Sequence, residues 1–227
     1  MTENDARGEI CRVGESLFSR GYVHATAGNI SVRLDAAEGG GYLITPTDAC
    51  LGRLDPARLA RVNDEGRQLS GDPASKTLAL HRQIYDAART FDAATCCVIH
   101  THATHCVLLS LDANASGADE LIPAITPYFV MKVGHVPMIR YDRPGAPEVG
   151  ERVAQAIRGY GARGTPIRAV MLERLGPNVW HDSPARAMAT LEELEESARL
   201  LALRTTPPAP LTATDIEALR RAFGARW

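Results

Sequence analysis

No stretch of this chain reaches the roughly 18 consecutive apolar residues of a membrane-spanning helix, and Met1 to Arg12 carries acidic residues where a secretory leader has an apolar core. A cytoplasmic protein without a membrane partner is expected. An excess of one charge is missing too: 25 basic residues against 27 acidic ones leave a formal net charge of -2. That balance removes the basic field on which nucleic-acid binding relies, although a local cationic pocket for a small anion is compatible with it. Cysteines are few and odd in number, five in all, and Cys96 and Cys97 stand side by side in an apolar run. Thiols placed like that act as small apolar residues rather than as a disulfide framework, which fits a reducing compartment. There is no internal repeat. The 227 residues, 45% hydrophobic and 23% charged, lie between one large domain and two small ones and are enough for a substantial core.

Helical and strand patterns alternate irregularly. Ile10, Val13 and Leu17 share a helical face over residues 8–20, which stops at Gly21. Asn29 to Leu34 and Tyr42 to Thr45 read as a hairpin around Gly39-Gly40-Gly41. Leu80, Ile84 and Ala88 mark a helix over 76–89, and Ala94 to Ile99 is a buried strand. Further strands are expected at Tyr128 to Val133, Pro137 to Arg140, Arg168 to Leu172 and Asn178 to Trp180, with a helix over Glu148 to Tyr160. Ser183-Pro184 opens the longest helix as N-cap and first residue. Residues 205–210 form a Pro-rich linker, and Thr214-Asp215-Ile216-Glu217 reads as a capping box for a short terminal helix. The expected division is a domain over 1–204 and, over 205–227, a linker and helix that docks on it or on a neighbouring subunit.

Chemistry concentrates in a few segments. His100 and His102 are two residues apart at the end of the buried strand, so on an extended chain their side chains share a face with Cα atoms about 6.5–7 Å apart, and the imidazoles can converge on one cation. A hydrogen-bonded structural pair is the competing reading. His24-Ala25-Thr26-Ala27-Gly28-Asn29 joins a helix to a strand with the small residues that let backbone approach an anion. Thr45-Pro46-Thr47 ends a strand with two hydroxyls. Ser75-Lys76-Thr77 precedes a helix, so amides, hydroxyls and an ammonium face an anion at its N-terminus.

These segments occur in an order and spacing that resembles the class II aldolase/adducin family: Thr26-Ala27-Gly28-Asn29-Ile30-Ser31, Leu43-Ile44-Thr45-Pro46-Thr47, Ser75-Lys76 with His81 six residues after Ser75, and His100-Thr101-His102-Ala103-Thr104-His105. Ser75-Lys76, Ile125-Thr126-Pro127-Tyr128 and Arg143-Pro144-Gly145 are similar to the 3-oxo-tetronate 4-phosphate decarboxylase branch, and the Thr26 and His100 segments equally to L-fuculose-phosphate aldolase. The resemblance implies an α/β fold, a three-layer α/β/α sandwich on a mixed, mostly antiparallel sheet, and a homotetramer with active sites at subunit borders. It implies a lyase that cleaves a carbon-carbon bond of a small phosphorylated sugar or sugar acid through a metal-stabilised enediolate. The metal would be divalent, zinc foremost, with iron or manganese as alternatives. By position, Gly28, Asn29, Thr45, Ser75 and Lys76 would hold phosphate, His100 and His102 the metal, and Lys76, Thr77 and Tyr128 would serve catalysis.

Two positions depart from the family pattern. Thr77 stands where a carboxylate acid/base follows the Ser-Lys pair, and Leu175 stands where a late histidine supplies a third ligand. His105, His181, Glu173 or the substrate itself are the candidates to complete the donor set, since a catalytic zinc takes three protein ligands; otherwise the metal is weakly held or lost. Decarboxylation needs no base to begin, whereas retro-aldol cleavage must remove a hydroxyl proton, so Thr77 leans toward decarboxylation. A repurposed enzyme, for example an iron-dependent oxygenase, and a non-catalytic adducin-like binding or assembly module are the alternatives.

Overall fold

The period-two alternation of the central strands sets the layers. The structure, a computed structural model, describes residues 1–111 and 119–227. Its strands are β1 (Asn29–Arg33), β2 (Tyr42–Ile44), β3 (Ala60–Val62), β4 (Gln68–Ser70), β5 (Cys97–His100), β6 (Met138–Ile139), β7 (Ala169–Leu172) and β8 (Gly176–His181). They form one sheet in the order β4-β3-β2-β1-β5-β8-β7-β6. Every pairing is antiparallel except the parallel β6 with β7. The helices are α1 (Glu3–Ser19), α2 (Leu78–Ala88), α3 (Thr104–Leu111), α4 (Pro127–Lys132), α5 (Pro147–Ala162), α6 (Pro184–Ala202) and α7 (Ala213–Phe223).

Ile30, Val32, Ile99 and Val179 pack on one side of the sheet with α1 and α6. Ile44, Val98, Val170 and Trp180 pack on the other with α2 and α5. The architecture is therefore the three-layer α/β/α sandwich on a mixed, mostly antiparallel sheet that the sequence led us to expect. Each fully buried Ile, Leu or Val contributes about 1.5–3 kcal/mol relative to exposure. A one-residue slip of β5 would exchange the faces of Val98 and Ile99 and carry His100 into the α1 layer, so the register that builds two cores also orients the site.

Helix ends follow local chemistry. α1 starts at Glu3, earlier than residue 8, because Thr2 and Asp5 form a reciprocal capping box. At α6, Ser183 accepts from the Arg186 amide and Pro184 takes the first turn, as expected. Two expectations are corrected. Tyr128 to Val133 is helical, not extended: Thr126 accepts from the Phe129 amide and Pro127 begins α4, which outweighs the strand preference of an aromatic and β-branched run. The terminal capping box is Thr212 with Asp215, two residues before Thr214. α7 packs against α4 of the same chain. There the Leu211 amide donates to the Ala124 carbonyl at 2.7 Å, and the Trp227 ring stacks on His135 with centroids 4.2 Å apart. Among the described residues, no helix is long and apolar enough to cross a membrane.

Candidate functional site

Strand register builds the floor of the site. Asn29 on β1 pairs with His100 on β5, which pairs with Asn178 on β8. Ile30, Ile99 and Val179 occupy the α1 side, so alternation turns this polar row toward α2. His100 is 5% exposed, and its Nδ1 lies 3.0 Å from the Pro177 carbonyl oxygen. A carbonyl only accepts, so Nδ1 carries the proton and Nε2 keeps its lone pair. Burial first and His102 second lower the His100 pKa to about 4, against the opposing Pro177 bond, so the ring is neutral near pH 7. His81 on α2 is buried beneath the row. Its Nδ1 meets the Ser31 hydroxyl at 2.8 Å, and burial with the neighbouring His100 lowers its pKa to about 3.

β5 ends at His100, so His102 is not on the strand as expected but in the short connection before α3. The two rings still meet, with centroids 5.2 Å apart. His24, which sequence reasoning treated only as part of a loop, lies against His102 at 6.3 Å between centroids. Burial, followed by His24, lowers the His102 pKa.

The three segments expected to face an anion come together. The Thr47 amide donates to the Pro73 carbonyl at 2.8 Å and the Ser75 amide to the Thr45 carbonyl at 3.3 Å. The Ser75 and Thr77 hydroxyls are 2.7 Å apart. Because Thr77 is engaged there, no side chain caps the first turn of α2. Gly28 has φ +84°, and a Cβ there would sit 2.8 Å from the His100 carbonyl oxygen, so only glycine brings this loop against β5. Thr45 is buried and its hydroxyl oxygen accepts from the Ile30 amide at 3.2 Å; its oxygen anchors the strand end. Lys76 is exposed at the helix start.

A cavity of about 400 Å³ opens beside the row, with Lys76, Thr77, His100, Arg143, Glu173 and Leu175 in its wall. Among the described residues, the buried side-chain polar atoms without a hydrogen-bond partner are Asn29 Oδ1, His81 Nε2, Thr101 Oγ1, Glu173 Oε1 and both amide atoms of Asn178. Of these residues, Glu173 and Asn178 line the cavity. Each unpaired atom costs about 1–3 kcal/mol, a deficit that a polar ligand meeting these two would offset.

Several expected participants lie elsewhere. The chain enters α3 at Thr104 and carries His105 to α6, where its Nδ1 meets Glu195 at 2.8 Å while Glu195 also accepts the His105 and Cys106 amides. His181 pairs with Cys97, at the opposite end of β5 from His100, and its Nδ1 meets Asp182 at 2.9 Å. Tyr128 is 59% exposed and, with His181, lines a separate cleft of about 710 Å³ on the α4 and α6 side. Glu173, the remaining candidate among the side chains, is by contrast buried at 2% exposure in the cavity wall.

Comparison with known proteins completes this picture. The profile of the Class II Aldolase and Adducin N-terminal domain matches residues 8–202. This chain belongs to that family. A 3-oxo-tetronate 4-phosphate decarboxylase of Cupriavidus necator is 51% identical over 231 residues, covering 100% of this chain and 99% of the relative. An L-fuculose phosphate aldolase of Methanococcus maripaludis is 28% identical over 192 residues, covering 85% and 92%. Among solved structures, YgbL from Klebsiella pneumoniae superposes with a TM-score of 0.79 at 39% identity over 97% of this chain and 100% of that one.

The class II aldolase fold sets the question of a metal. Two neutral imidazoles, His100 with a free Nε2 lone pair and His102 beside it, fit a divalent cation as a partial donor set. Leu175 faces the same cavity and donates nothing. Among the described residues, no three His, Cys, Asp or Glu side chains converge on one point.

Proposed function

We propose that this lyase decarboxylates a small 3-keto sugar acid that carries a phosphate, with 3-oxo-tetronate 4-phosphate as the substrate to test first. The observation that carries the choice over aldol cleavage is that more than one cationic side chain stands in one cavity wall: Lys76 just before α2, Arg140 after β6 and Arg143 on the loop before α5. A sugar phosphate brings one anionic group, whereas a keto acid phosphate brings two. The 51% identity to a decarboxylase supports the same reading.

Lys76, with the uncapped amides at the start of α2 and the Ser75 hydroxyl, holds the phosphate through charge-assisted hydrogen bonds. Asn29 and Asn178 flank His100; the unpaired Nδ2 of Asn178 donates to the keto oxygen, and the unpaired Oδ1 of Asn29 accepts from a substrate hydroxyl. Ile139, Leu172 and Leu175 exclude water around the scissile bond. A divalent cation held by His100 and His102 would polarise the keto oxygen. Zinc is the ion proposed, with iron and manganese as the alternatives that elemental analysis separates. Thr77, tied to Ser75, is no base, and loss of carbon dioxide needs none at the outset.

A homotetramer in the cytoplasm belongs to the same reading. Tyr128 is exposed and lies outside its own chain's cavity, so its catalytic role requires a site completed across a subunit border. The test supplies purified protein with 3-oxo-tetronate 4-phosphate and, separately, with L-fuculose 1-phosphate, following carbon dioxide and aldehyde. Carbon dioxide from the first and no cleavage of the second is expected. Aldol cleavage without carbon dioxide release refutes the proposal.

A further inference from the structure

We propose that Glu173 is the acid that protonates the substrate carbon from which carbon dioxide departs, an inference that rests on the decarboxylation proposed above. Glu173 directly follows β7, is 2% exposed, and shares the cavity wall with His100, Lys76 and Thr77. Its Oε2 accepts from the Tyr141 amide at 2.8 Å. Its Oε1 is buried without a hydrogen-bond partner; Arg174 Nε is 3.9 Å away, beyond hydrogen-bonding range. A glutamine would satisfy the Tyr141 amide equally well, at no cost for burying a charge. A structural role therefore leaves the second oxygen without a purpose.

The turn that carries Glu173 is held from three sides. The Glu173 amide donates to the Ile139 carbonyl at 2.9 Å and the Leu175 amide to the Leu172 carbonyl at 3.0 Å. The Arg174 amide donates to the Ser110 hydroxyl at 2.9 Å, and Arg174 itself adopts φ +64°, a conformation that disfavours a long side chain. Two residues on, at Gly176, a Cβ would collide with the Thr101 carbonyl oxygen, so the turn is pressed against the segment that joins the two histidines. These constraints hold the backbone on either side of one side chain, and that residue lines the cavity.

The chemistry calls for such a group late in the reaction. When the bond between the carboxylate and the carbon beside the keto group breaks, its electron pair passes into an enolate and carbon dioxide leaves. The enolate carbon must then gain a proton. The O–H bond of protonated Glu173 breaks as the new C–H bond forms, and the carboxylate left behind recovers a proton from water. The sum consumes one proton and releases one carbon dioxide, with no oxidant or reductant.

Decarboxylation of 3-oxo-tetronate 4-phosphate in D2O reads this directly, because the carbon becomes a methylene whose two positions proton NMR distinguishes after stereospecific derivatisation. Wild-type protein should place one deuterium in a single position. Glu173→Gln, which keeps the Tyr141 hydrogen bond, should react about 10²–10⁴-fold more slowly and label both positions equally, with metal content unchanged. Glu173→Asp keeps an acid and should retain one-sided labelling at a reduced rate. Wild-type rate and one-sided labelling in Glu173→Gln, random labelling in Glu173→Asp, or loss of metal in Glu173→Gln overturns the assignment. A wild type that releases no carbon dioxide overturns the decarboxylation reading and this inference together.

Discussion

The buried imidazoles beneath the site make stability depend on pH by an amount that can be worked out. His81 has no exposed surface, and its pKa is lowered from 6.5 to about 3 by burial and by His100. Between those two values the unfolded chain binds a proton that the folded one refuses. The stabilisation from a neutral ring is therefore complete above about pH 6.5 and is lost as pH falls toward 3. Between pH 7 and pH 5 only the unfolded ring titrates, so the loss is insensitive to the folded value and comes to about 2 kcal/mol for His81. His100, lowered to about 4, adds a similar amount. Together they remove about 4 kcal/mol, a large share of the 5–15 kcal/mol typical of a domain. Urea denaturation at pH 7 and pH 5, in the presence of a chelator, measures this. His81→Gln can keep a hydrogen bond to Ser31 but does not titrate, and should lose about 2 kcal/mol less than the parent between the two pH values. An equal loss in parent and variant would mean that His81 is not held neutral and that the burial argument is wrong.

Replacing Lys76 with Ala should weaken a phosphorylated ligand by about 1.5–3 kcal/mol while leaving its unphosphorylated analogue nearly unchanged in calorimetric titration; equal losses would make Lys76 structural. Either His100→Ala or His102→Ala should abolish stoichiometric divalent metal in elemental analysis while the fold survives, and Leu175→His should raise metal affinity by adding a third imidazole at the same cavity. Metal retained by both alanine variants would remove these histidines from the donor set. Gly28→Ala should lower stability by about 2–4 kcal/mol, because φ +84° and a contact of 2.8 Å with backbone both oppose a Cβ. An unchanged urea midpoint would show that the loop does not press on β5.

How far the site was legible depended on whether its residues obey a local rule. The faces of β1 and β5 follow from alternation, so the placement of His100 was readable from Val98 and Ile99 alone. The meeting of the Gly28, Thr45 and Ser75 segments was not: the contacts that join them run between residues far apart in sequence, such as Thr47 with Pro73. There the family resemblance supplied what periodicity lacked. His102 was assigned the right neighbour for the wrong reason, since β5 ends one residue after Ile99 and the rings meet across a bend. Tyr128 misled in the opposite way, because a strand-forming composition lost to Thr126 and Pro127.

Glu173 illustrates what no single-chain pattern reveals. A carboxylate at the end of a short strand is ordinarily solvated. It is buried here because its neighbours, Ile139 and Tyr141 on one side and Ser110 on the other, come from segments 32 to 63 positions away. Leu175 occupies the same turn, two residues on. The loss of an imidazole at 175 and the burial of a carboxylate at 173 are therefore features of one rigid turn that borders one cavity. In the proposed reaction that placement separates two needs: His100 and His102 would serve the cation alone, and the proton would reach the substrate from the turn rather than from position 77, where Thr77 is bound to Ser75. Restoring histidine at 175 then changes metal affinity without supplying an acid, whereas removing the acid at 173 changes labelling without touching the metal.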